Sequence, residues 1–69
     1  MVSFKEANQA RLSLKMICSN FGWYNESIVI PFEDDYCVVI SVSKIDNKVR
    51  KVIPTVHYGV SIKVEVDNR

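Results

Sequence analysis

The strictest constraint on this chain is an alternation near its end. Val60, Ile62, Val64 and Val66 alternate with Ser61, Lys63 and Glu65. A period of two, apolar on one side and polar on the other, is what a half-buried strand requires. A second stretch reads the same way: Tyr36, Val38, Ile40 and Val42 alternate with Cys37, Val39, Ser41 and Ser43. Two such strands need a cover on at least one face, and the rest of the chain must supply it.

The cover is a helix. Ser3-Phe4-Lys5-Glu6 fits a capping box, in which Ser3 accepts from the N–H of Glu6 and the Glu6 carboxylate reaches back to the N–H of Ser3. From Phe4 onward, Phe4, Ala7, Ala10, Leu14, Ile17, Cys18 and Phe21 form one stripe at 100° per residue. Gly22 stands where a left-handed cap would end the helix, so the pattern predicts a helix from residue 4 to 20 or 21. Leu12 and Met16 fall on the opposite side, a small apolar pair outside the stripe.

Trp23 to Glu26 reads as a connection. Ser27 to Phe32 then reads as a strand with Ile28, Ile30 and Phe32 on one face and Val29 on the other. Pro31 cannot donate to a ladder and marks an edge or a bulge. Glu33-Asp34-Asp35 turns the chain into the Tyr36 strand, giving a hairpin. Beyond Ser43 two readings stand: Asp46-Asn47 turns strand two back through Val49 to Ile53, or 44–51 is an exposed basic loop. Pro54 suits the start of a short helical turn and Gly59 its end. The expected fold is α+β, with one N-terminal helix on a small, mainly antiparallel sheet of three or four strands. The neighbour of the last strand stays open.

Sixty-nine residues make one domain, 1–69, with a small core; such a chain buries about 60% of its unfolded surface. Residues 1–12 hold no apolar run of signal length, and no stretch approaches a membrane span. The expectation is a soluble cytoplasmic protein with two reduced cysteines and no membrane partner. In that setting the Asn25-Glu26-Ser27 sequon carries no glycan.

Catalytic chemistry finds little to work with. His57 is the single histidine, and a Cys–His nucleophile would need Cys18 or Cys37 beside it, plus an orienting group and an oxyanion hole. Two cysteines and one histidine do not complete a zinc site. Three consecutive carboxylates, Glu33 to Asp35, cannot all converge on a calcium ion. Two glycines do not make a phosphate loop. The chain reads as a non-enzyme with no cofactor and no metal.

Binding chemistry has two candidates. If the helix covers Val38, Ile40 and Val42, then Val29, Cys37 and Val39 point the other way and form an apolar contact face. Leu12 and Met16 make a second, weaker one. Residues 44–59 would otherwise fold over that face with Val52, Ile53 and Val56. The leading expectation is an interaction module that associates with a second copy, or another protein, through a sheet face or edge. The alternative is a weak nucleic-acid binder using Lys44, Lys48, Arg50 and Lys51, which with Asp46 carry a net +3.

The succession of helix, hairpin, Ile53-Pro54 and Gly59-Val60-x-Ile62-x-Val64-Glu65-Val66 resembles a pattern in small uncharacterised bacterial proteins that end in Leu-Pro and Gly-Val-x-Val-x-Val. The resemblance covers the last two thirds of the chain. This sequence departs from it at Phe21 to Ile30, where that pattern favours a glycine- and valine-rich strand and Trp23-Tyr24-Asn25-Glu26 stands instead. It implies the order of elements and no activity.

Overall fold

The computed structural model describes residues 1–67. The chain is an α+β domain whose helices lie on one face of a four-stranded mixed sheet. In chain order the elements are α1 (Phe4–Cys18), β1 (Tyr24–Phe32), β2 (Asp35–Val42), α2 (Asn47–Val52), β3 (Val56–His57) and β4 (Val60–Val66). The strand order is β1-β2-β4-β3. β1 pairs antiparallel with β2, β2 pairs parallel with β4, and β3 pairs antiparallel with β4. The final strand therefore lies beside β2, and α2 lies in the crossover that a parallel pair needs.

α1 begins as its sequence dictates. Ser3 Oγ accepts from the Glu6 N–H at 3.1 Å, and Glu6 accepts from the Ser3 N–H at 3.1 Å. The bond from the Ser3 backbone N–H, with the Ser3 hydroxyl second, holds the Glu6 carboxyl below its ordinary range. The helix ends at Cys18, earlier than the periodicity predicts, and Gly22 does not adopt the left-handed conformation expected of it. The last carbonyls are shared between backbone and side chains: the N–H groups of Ser19, Asn20 and Phe21 donate to the Lys15, Ile17 and Cys18 carbonyls, while Asn20 Nδ2 donates to Met16 and Ile17 and Ser19 Oγ to Met16.

The stripe is narrower than its sequence. Ala7, Ala10, Leu14 and Cys18 are buried, while Phe4, Ile17 and Phe21 sit at its margins and stay exposed. Phe4 lies edge-on to Tyr36, with ring centroids 5.7 Å apart, and Phe21 stacks on buried Trp23 at 5.0 Å. Two alanines at the centre let α1 approach β1 and β2 closely. Burial also pushes the Cys18 thiol up, which leaves it protonated and inert.

Residues 44–53 form neither a hairpin arm nor a loop. Asp46 is the N-cap of α2, its side chain accepting from the Val49 N–H at 3.0 Å. That bond, more than the neighbouring Lys44, holds the Asp46 carboxyl below its ordinary range. Val49 and Ile53 join Val38, Ile40, Val42, Val60 and Ile62 in one core with α1. So the 44–59 excursion folds onto the helix face of the sheet, not the opposite one. Pro54 follows the helix instead of starting one.

Both hairpins use two-residue loops. Phe32 pairs with Asp35 around Glu33-Asp34, with Glu33 at φ 54°. His57 pairs with Val60 around Tyr58-Gly59, at φ 53° and 75°. Positive φ at both loop residues is the type I′ turn, whose twist suits paired strands. Gly59 ends no helical turn; it closes this hairpin.

Candidate functional site: the uncovered sheet face

Register decides which side chains share a face. Residues directly opposite in paired strands point the same way. Val29 lies opposite Val38, so Val29 faces the helices and packs against the core. Ile28 lies opposite Val39 and Ile30 opposite Cys37. The expected group of Val29, Cys37 and Val39 is therefore split. Cys37 and Val39 do turn away from the helices, but their companions on β1 are Ile28, Ile30 and Phe32. The alternation of β1 was legible in the sequence. Its phase was not, because both faces of this strand carry apolar residues.

On β4, Val39 lies beside Lys63 and Ser41 beside Glu65. The outer face is thus apolar along β1 and polar along β4. No element among the described residues covers it. Ile28 is 49% exposed and Phe32 37%. The centre is nevertheless sealed: Val39 is only 5% exposed and Cys37 fully buried. The Lys63 ammonium sits 3.7 Å from the centroid of the Phe32 ring. β2 lies between β4 and β1, so this cation–ring pair bridges the outer face across the middle strand. Lys63 is a residue that sequence reading passed over as one more polar position in the alternation.

At the far end of the face, Glu26 lies opposite Ser41 across an irregularity between Tyr24 and Glu26. Ser41 Oγ is buried without a hydrogen-bond partner. The two cysteines lie on opposite faces of the sheet, Cys18 in the α1 core and Cys37 outside, so no disulfide can join them.

Leu12 and Met16 project from α1 into water, 43% and 77% exposed. They form an isolated pair, one turn apart, away from the outer face. The four cations of the 44–51 segment stand in different settings. Lys44 pairs with Asp46 at 3.5 Å, Arg50 lines a groove between α2 and β4, and Lys48 and Lys51 stay in solvent.

His57 meets neither cysteine. Its Nε2 lies 3.0 Å from Ser13 Oγ, and its ring stacks on Tyr58 at 4.2 Å. Ser13 is in the middle of α1, where its own N–H belongs to the helix ladder and cannot serve as an oxyanion donor. This Ser–His contact ties β3 to α1. Among the described residues there is no cluster of three or more His, Cys, Asp or Glu side chains fit to hold a metal ion, and no helix is long and apolar enough to cross a membrane. Comparison with protein-family models, with curated proteins and with solved structures gives no match for this chain.

Proposed function

We propose that this protein is a non-enzymatic interaction module that self-associates through the uncovered face of its sheet. One observation carries the reading. Both helices pack on the same face, and the opposite face presents Ile28, Ile30 and Phe32 in a column on β1. A small domain gains most from covering such a column with a second copy of itself. A two-fold axis crossing β1 between Ile28 and Ile30 sets Ile28 of one copy on Ile30 of the other, and the reverse, as a closed symmetric contact requires. The same axis brings the Phe32 end of one copy, with its Lys63 cation, toward the Glu26 end of the other. The separated, reduced cysteines support a cytoplasmic location.

The test is light scattering on the parent and on Ile28→Lys. Val39→Lys is the poorer probe, because Val39 is already buried in the monomer and a charge there would have to be desolvated in either state. Ile28 is half exposed, so a lysine there is solvated in the monomer and buried only in the dimer. The expected result is a parent dimer at high micromolar concentration and an Ile28→Lys monomer of unchanged secondary structure. A parent dimer that survives Ile28→Lys removes the outer face from the account.

A further inference from the structure

A second surface lies at the opposite edge of the molecule. β4 has β2 on one side along its length, but β3 on the other side only at its start. The last bond across that junction runs from the Ile62 N–H to the Thr55 carbonyl at 2.9 Å. Along a strand, successive residues turn their N–H and C=O groups to alternate sides. Ile62 donates toward β3, and the Asp67 N–H donates toward β2, to the Val42 carbonyl at 2.8 Å. Val64 and Val66 therefore turn their backbone groups to the β3 side, where β3 has already ended. This open edge borders an apolar groove of about 390 Å³ between β4 and α2. Ile45, Val49, Ile53, Ile62 and Val64 supply its apolar wall, and Pro54 and Thr55 close one end. Arg50 is the one charged residue on the lining, and no ion pair engages it among the described residues.

We infer that this slot takes the free C-terminal tail of another protein, added to β4 as a short antiparallel strand. Three features select that occupant. First, an antiparallel strand on Val64 and Val66 is collinear with β3 and runs head-on into Thr55, so the chain occupying it must end there. Second, its residues opposite Val64 and Val66 face the helix side and drop alternate side chains into the groove, which is apolar and holds small aliphatic groups. Third, the guanidinium of Arg50 matches the terminal carboxylate in charge and in fork geometry.

A second copy of this chain fits worse. With Thr55 beside Ile62, two β4 strands can pair, among the described residues, over 63–67, and a two-fold axis at the middle of that window passes through Glu65. It sets Glu65 directly against Glu65 of the other copy, and like charges directly opposite oppose pairing. A foreign tail with an uncharged residue at that position has no such conflict.

The probe is the N-acetylated tetrapeptide Thr-Val-Thr-Val with a free carboxylate, beside the same peptide amidated. Both are titrated into the intact ¹⁵N-labelled protein to low millimolar concentration. The free acid should saturate and shift the Val64 and Val66 amides, with the amide at least about tenfold weaker. In Arg50→Gln the two peptides should bind alike, with the spectrum outside the slot unchanged. Equal affinity of acid and amide for the parent overturns the carboxylate assignment without needing the variant. No shift at Val64 and Val66 with either peptide overturns the slot. Shifts of those amides with protein concentration alone assign the slot to a second copy and also overturn the proposal.

Discussion

Replacing Leu14 by alanine should come close to unfolding this domain. Leu14 is 1% exposed and sits between Ala10 and Cys18 on the buried line of α1, in one core with Val38 and Ile40. Truncating a fully buried leucine costs about 2–5 kcal/mol, and the upper part of that range applies where neighbours cannot collapse into the space. The neighbours on the helix are alanines and a cysteine, too short to reach across the cavity. A chain of this length has roughly 3–10 kcal/mol in total. With a urea slope of about 1 kcal/mol/M, the midpoint should fall by about 2 M or more, or the cooperative transition should vanish. The control is Ile17→Ala, one position beyond the buried line and half exposed, where the cost should stay under about 1 kcal/mol. Circular dichroism against urea measures both. Equal costs for the two variants, or a Leu14→Ala midpoint matching the parent, would mean that α1 is rotated on the sheet and that the assignment of faces is wrong.

Other expectations follow from single contacts. Gly59 holds φ 75° with nothing near its missing side chain, so Gly59→Ala should cost about 1 kcal/mol from backbone conformation alone, read from thermal melts. Lys63→Ala removes the cation that bridges β4 to Phe32 across the outer face, so the Cys37 thiol on that face should react faster with an aromatic disulfide reagent in the native state, while Cys18 stays protected. No change in rate would show that the Phe32–Lys63 pair is not the seal. The Glu6 and Asp46 carboxyls are held below their ordinary values in the folded state, so their stabilisation is present above the unfolded values and is lost as pH falls through the folded ones. Asp46→Asn keeps an acceptor at the cap but does not titrate there, and it should flatten part of the acid limb of a stability–pH curve. Replacing Lys48, Arg50 and Lys51 together by glutamine should leave the fold intact and remove no affinity for DNA or RNA near physiological salt. A mobility shift present in the parent and lost in that variant would favour the nucleic-acid reading.

The legible parts of the fold were those with one dominant local signal. The capping box fixed the start of α1 to the residue, and the alternation of Val60 to Val66 fixed β4. α2 carried its own signals, an N-cap Asp46 three residues before Val49, and Val49, Val52 and Ile53 at helical spacing. They were outweighed because Asp-Asn also makes turns and β-branched valines suit strands. The phase of β1 was hidden for a different reason. Ile28, Ile30 and Val29 are all apolar, so hydrophobicity alone cannot say which side meets α1, and only the hairpin register decides it. The same limit concealed the outer face, whose apolar members come mostly from β1, and the role of Lys63, which depends on a ring two strands away. Partners across a parallel crossover leave no mark in local sequence. For that reason the β4 edge and its groove emerged only with the strand order.

The most direct test of the central claim is the mass of the parent in solution across a concentration series. Self-association through the outer face predicts that the scattering mass rises from 7.9 kDa toward twice that value as the protein is concentrated into the high micromolar range. A mass that stays at 7.9 kDa throughout contradicts it, and the uncovered face is then simply the solvent side of a monomer.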